Sequence, residues 1–163
     1  MKDTTKTNKS SNPFANLDSL GLSLPQVSTP GGSYTSVNIR GNIAYIAIQF
    51  PIKDEQYLYQ GRLGDSISTD EGYKAMELCA LNVLSQINAK VGFENIEGLN
   101  HIDAYFQSGD DWDDSPIVVN GASDLFVKVL EKRGEHSRAI FGVDKLPRDF
   151  SVGLTATFTL LST

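Results

Sequence analysis

The 163-residue chain is long enough to bury a core without metals or disulfides, and its 40% hydrophobic and 21% charged residues have the balance of a folded globular protein. A formal net charge of -6 sets its field against polyanions and disfavours nucleic acid, whose binding begins with phosphate neutralisation by Lys and Arg. Cys79 stands alone and excludes an intrachain disulfide, the opening residues lack the apolar core of a secretory signal, and no apolar run nears the roughly 18 residues of a membrane helix, so a cytoplasmic, non-spanning protein is expected.

In chain order, residues 1–12 are Lys, Thr, Ser, Asn and Asp with almost nothing to bury, and read as a mobile tail ahead of a single folded domain, 13–163. Residues 12–32 mix isolated apolar residues with Pro and Gly, an irregular lead-in with room for one short helical turn, pinned by Phe14 and Leu20. Two β-branched and aromatic runs flank "RGN" and predict a hairpin, 34–40 with 42–50. Ser68 and Glu71 form a capping box, Gly92 marks a stop, and Met76, Cys79, Ala80, Val83, Leu84 and Ile87 make one buried helical stripe between them.

"GLNHIDAYFQ" alternates as a third strand, and "SGDDWDDSP" reads as an exposed loop. A second helix places Val119, Ala122, Phe126, Val129 and Leu130 on one face and stops at Gly134. "RAIFGVD" and "SVGLTATFTL" are two further strands across "KLPRD". The order ββαβαββ predicts an α+β fold, a mixed sheet backed on one face by two helices.

On the last strand Val152, Leu154, Ala156, Phe158 and Leu160 share the face that helices would cover, while Gly153, Thr155, Thr157 and Thr159 share the other. That second face, continued by Ala44, Ile46 and Ile48 on the hairpin, is too apolar to be left in water. A second copy of the chain is the expected cover, which predicts a homo-oligomer with packed sheets.

Arg138 begins a short strand, with Ile140 on its face and Ala139 and Phe141 on the other. Burying a guanidinium requires an anion, supplied either by a carboxylate of the protein or by a ligand carboxylate held in a bidentate fork. Asn120 has two readings, a cap of the second helix or a ligand contact. His136 is placed to line a cleft beside Arg138. His101 and His136 lack the partners of a zinc site, the aspartates around Trp112 lack the glycine and terminal glutamate of a calcium loop, no Gly-x-Ser-x-Gly is present, and "GRLG" and "NGAS" hold too few glycines for a phosphate loop.

"SYTSVNIRGN", "DEGYKAMELCALNVL", "VVNGASDLF" and "HSRAIFGVDKLPRD" together resemble the RidA or YjgF family, in particular its longer branch labelled endoribonuclease L-PSP-like, over about residues 25–160. The resemblance implies a chorismate-mutase-like fold, a homotrimer with small-molecule clefts between subunits, and hydrolysis of enamines and imines to 2-keto acids and ammonia without a cofactor. It gives Arg138 the grip on a substrate carboxylate, Asn120 a place near the cleft and Tyr34 its closure; Ala47, Ile140 and Gly153 complete the expected ligand-binding set. Two departures stand out. Ala47 and Ile48 in "AIQFP" replace a family Ser-Gly, and Gly153 replaces the glutamate that positions water in deaminating members, with Thr155 where a second acid often stands. The catalytic acid is therefore unassigned. The expected function is binding of a carboxylate-bearing metabolite, a 2-imino or 2-keto acid, with weak or altered deamination. Alternatives are a non-catalytic ligand sensor or a biosynthetic enzyme reusing the cleft, with RNA cleavage the least supported by the charge.

Overall fold

Asn12 sets the first element: its Oδ1 accepts from the backbone N–H of Phe14 at 3.0 Å and of Ala15 at 3.3 Å, and Pro13 occupies the first turn. In the computed structural model of the chain, which describes residues 12–162, this starts helix α1 (Pro13–Ser19). The expected tail otherwise lies outside the described residues. The lead-in thus holds a seven-residue helix in place of the single turn expected. Its anchors also differ, because the helical repeat turns Leu17 inward to 2% exposure and leaves Phe14 and Leu20 outside. Asn16 Nδ2 donates to the Val129 carbonyl at 2.9 Å and ties α1 to a later helix.

The hairpin forms as β1 (Val37–Arg40) and β2 (Ile43–Gln49), antiparallel across a turn with Gly41 at φ +59°. It is shorter than expected because Tyr34 is held in a bend, its N–H donating to the Gly32 carbonyl at 2.9 Å. A second, unexpected two-strand ribbon follows Pro51, β3 (Ile52–Lys53) with β4 (Gln56–Tyr57).

Helix α2 (Thr69–Lys90) opens on the predicted capping box: Glu71 N–H donates to Ser68 Oγ at 3.1 Å and Ser68 N–H to Glu71 Oε2 at 2.8 Å. These bonds hold the Glu71 carboxyl below its usual pKa. The predicted stripe is buried, but so are Leu78, Leu81, Asn82, Ser85 and Gln86, because other segments strap the outer side of the helix: Asn82 donates to the Phe50 and Ile52 carbonyls, and the irregular lead-in holds the next turn. Ser85 Oγ donates to the Pro25 carbonyl at 2.7 Å, and Gln86 Nε2 to the Ser28 carbonyl at 3.2 Å. Cys79 lies wholly inside, where burial pushes its thiol pKa well up, so it acts as a small apolar filler.

Strand β5 (Ile96–Phe106), helix α3 (Ser115–Leu130), strand β6 (Ser137–Gly142) and strand β7 (Val152–Leu160) complete the fold. The main sheet has five strands in the order β1-β2-β7-β5-β6, antiparallel except for the β5–β6 pair. This is the predicted mixed sheet, with three α-helices among the described residues, α1 being the addition. The four aspartates of the acidic loop are exposed, while Trp112 folds back edge-on to Phe106 and donates from Nε1 to Thr69 Oγ1 at 2.9 Å. Helices α2 and α3 meet where Gly121 carries no side chain: a Cβ there would overlap the Tyr73 carbonyl oxygen.

Val152, Leu154, Ala156 and Phe158 lie buried toward the helices as expected. Ala44 and Ile46 do too, which corrects the face assigned to them: they pair with Phe158 and Ala156 and are 0% and 3% exposed. A bulge after Ile46 then sets Ala47 and Ile48 against the single residue Thr155 and returns Ile48 to the outer side. The face without helices carries Tyr45, the three threonines, His101, Asp103, Tyr105, Ala139 and Phe141, with Tyr105 and Phe141 stacked at 5.4 Å.

Candidate functional site

Arg138 lies on the edge strand β6 opposite Ile102, so its side chain leaves on the helix side of the sheet. There Nη1 donates to Asn120 Oδ1 at 2.8 Å and to Ser123 Oγ at 3.2 Å. Asn120 and Ser123 stand three apart on α3 and so share one helix face. Asn120 is six residues into α3, whose cap position is Asp114, which removes the capping reading. Among the described residues the one ion pair is His101–Asp103 at 2.9 Å, so Arg138 is held by two neutral oxygens and by no carboxylate.

His136 joins the same group. Its Nδ1 lies 2.6 Å from the Gly134 carbonyl oxygen, which only accepts, so the ring proton sits on Nδ1 and Nε2 is left as an acceptor. Nε2 lies 2.9 Å from Ser123 Oγ, whose hydroxyl therefore donates to it while accepting from Arg138. Phe126 packs edge-on to the ring at 5.8 Å. Burial lowers the His136 pKa from its ordinary 6.5, and the charges of Arg138 and His101 lower it further against the bond to Gly134. The neutral form of the imidazole is favoured.

The remaining residues predicted for the site are elsewhere in the chain. Ile140 shares the face of Arg138, level with Ala104 and packed on the core. Gly153 pairs with Tyr105 on the other face, and a Cβ on it would meet Ile48 Cδ1 at 2.8 Å and Phe50 Cε1 at 3.0 Å, while Ala47 sits in the bulge opposite Thr155. Tyr34 precedes β1 and is 51% exposed, its hydroxyl accepting from Gly31 N–H at 3.1 Å. Strands β1 and β6 are opposite edges of the sheet, four spacings of about 4.8 Å apart, or roughly 19 Å. Tyr34 and Arg138 do not meet within one chain.

Ser123, which joins Arg138 to His136, is not among the site residues that the sequence nominates. Its signal there is slight: the second polar member of an Asn-x-x-Ser pair on a mostly apolar helix. Away from this cluster, a recess of about 670 Å³ beyond the ends of β5 and β6 is lined by Arg62, Asp65, Asp110, Asp111, Trp112 and Asp144, among others. It shares no lining residue with the Arg138 group.

The family model described as "YjgF/chorismate mutase-like, putative endoribonuclease" matches residues 15–160. Protein TCP17 of Trypanosoma cruzi is 33% identical over 148 residues, 90% of this chain and 92% of its own. A Shewanella oneidensis protein, whose crystal structure names it as an endoribonuclease of the same provisional kind, superposes with a TM-score of 0.90 at 28% identity, over 92% of this chain and 100% of that one. Escherichia coli TdcF, solved with bound serine, shares the fold at a TM-score of 0.60 and 14% identity, over 84% of this chain and 94% of that one. The five-stranded sheet, the helices behind it and the match across residues 15–160 place the chain in the YjgF/chorismate mutase-like family.

Proposed function

We propose that this family member is a cytoplasmic homotrimer that binds a small carboxylate-bearing metabolite, a 2-imino or 2-keto acid, through Arg138 at the boundary between subunits. The observation that carries this reading is a partly buried guanidinium whose only partners among the described residues are an amide and a hydroxyl oxygen. A permanently charged group so placed is stabilised by a guest anion. Asn120 and Ser123 tether one nitrogen and leave Nε and Nη2 without a hydrogen-bond partner among the described residues. Tyr34, at the far edge of the sheet, reaches such a site only from a neighbouring copy. The face bearing Tyr45, Tyr105 and Phe141 supports sheet-to-sheet association.

Imine hydrolysis needs a positioned base, typically worth about 10²- to 10⁴-fold. The position that would carry the glutamate by resemblance is Gly153, and its space is filled by Ile48 and Phe50. That favours a second reading, ligand sensing without turnover. Calorimetric titration with 2-ketobutyrate tests the binding, with serine, the ligand of the TdcF structure, as a second probe; absence of heat from both would reject it. Sedimentation tests the assembly, expected at three times the 17.8 kDa of the chain.

Gly153→Glu alone is expected to destabilise the protein by roughly 1–3 kcal/mol through overpacking against Ile48 and not to add activity. Paired with Ile48→Gly, which vacates the part of that volume Ile48 takes up, it is expected to recover most of the lost stability. The two melting curves and one ammonia assay check both parts.

A further inference from the structure

We propose that Ser123 and His136 form a proton relay beside Arg138 and supply the acid–base chemistry that Gly153 lacks; this rests on the reading of Arg138 as the carboxylate grip. In a 2-imino acid the reacting carbon is bonded directly to the carboxylate carbon. The group that handles protons must therefore stand next to the guanidinium. Ser123 Oγ does so at 3.2 Å from Arg138 Nη1, and its hydroxyl donates to His136 Nε2 at 2.9 Å. The Gly134 carbonyl fixes the ring from behind at 2.6 Å, the arrangement of a hydroxyl, a base and a group that orients the base.

Arg138 and His101 are the charged or titratable groups acting on the imidazole, from β6 and β5. Ser123 and Phe126 from α3 and the Gly134 carbonyl, which contact the ring, are uncharged. Both electrostatic influences keep the ring unprotonated and ready to accept. In the first stage a water gives its proton to Ser123 Oγ while the Ser123 hydroxyl proton passes to His136 Nε2. The water oxygen bonds to the imine carbon, the C=N π pair moves to nitrogen, and the relay returns the proton there, giving a carbinolamine. In the second stage the carbinolamine O–H proton crosses the same path to nitrogen, the C–N bond breaks with its pair on nitrogen, and ammonia and the 2-keto acid separate. Imine and water are consumed, the protein ends unchanged, and no electron acceptor is required.

The sign of the pH dependence follows from the neutral ring. Below its folded pKa, which lies under 6.5, His136 is protonated and cannot accept, so the rate falls as pH drops through that value and is level above it. Release of 2-keto acid from freshly generated 2-iminopropanoate, measured from pH 5 to 8, is the test. Ser123→Ala is expected to lower kcat about 100-fold with little change in KM, Ser123→Thr to recover most of the loss, and His136→Gln to abolish the acid-side fall. Titration of each variant with 2-ketobutyrate shows whether the grip is intact. An unchanged rate and pH profile in His136→Gln, with 2-ketobutyrate still bound, would overturn the relay and leave the grip standing. Binding by the wild type without turnover at any pH would do the same. Loss of binding in the wild type itself would remove the grip and the relay with it.

Discussion

Arg138→Ala is expected to weaken 2-ketobutyrate binding by about 10²-fold or more while the chain stays folded. A carboxylate on Nε and Nη2 makes two charge-assisted hydrogen bonds, each worth about 1.5–3 kcal/mol, and about 1.4 kcal/mol is one decade in affinity. The substitution leaves Asn120 Oδ1 and Ser123 Oγ without their donor, at a cost of about 1 kcal/mol in a partly buried setting where water can enter. Arg138→Lys keeps the charge but loses the planar fork, and a single ammonium does not span Asn120, Ser123 and a carboxylate together. It is expected to recover less than half of the lost binding energy. Calorimetry reads the affinities, and circular dichroism confirms the fold. Affinity within threefold of wild type in Arg138→Ala would show that the guanidinium is a structural tether to α3 and nothing more.

Gly121→Ala carries the largest expected loss of stability, about 3 kcal/mol or more, because the added carbon would overlap the Tyr73 carbonyl oxygen on α2. Backbone does not yield as a flexible side chain does, so α2 and α3 must separate. Gly41→Ala is the matched control: Gly41 has φ +59°, but a Cβ added there would have nothing within 4 Å, so the expected loss is only about 1 kcal/mol through backbone strain. Urea midpoints of the two variants measure the difference. Gly121 adjoins Asn120 in sequence, so Gly121→Ala is also expected to weaken 2-ketobutyrate binding in whatever fraction remains folded.

Local signals are legible in this sequence and long-range ones less so. The Ser68–Glu71 capping box, the α2 stripe and the alternation of β7 each depend on residues within a few positions of one another, and each is present in the fold. Ala44 and Ile46 fall on the wrong face under a strict alternation carried back from Ile48, because the bulge before Gln49 shifts the alternation of β2 and a bulge has no fixed residue signature. Leu17 displaces Phe14 and Leu20 as the anchor of the lead-in because α1 runs for two turns from its Asn12-Pro13 start, and a single turn would not bring Leu17 round. In the site, the strand face of Arg138 is legible, whereas its neutral partners are not: they depend on where α3 sits over β6. Asn120 is recognised through its resemblance, and Ser123 needs the geometry.

Ile48 and Gly153 fill one volume from neighbouring strands, so the two positions cannot drift independently. A lineage carrying this pair reaches an acidic side chain at 153 only by first shrinking position 48, and the intermediate with both residues small has an empty space in its sheet. Such sign dependence between sites makes the present state hard to reverse one change at a time. Relatives with a large residue at 48 should accordingly keep glycine at 153, whichever ligand they have come to hold.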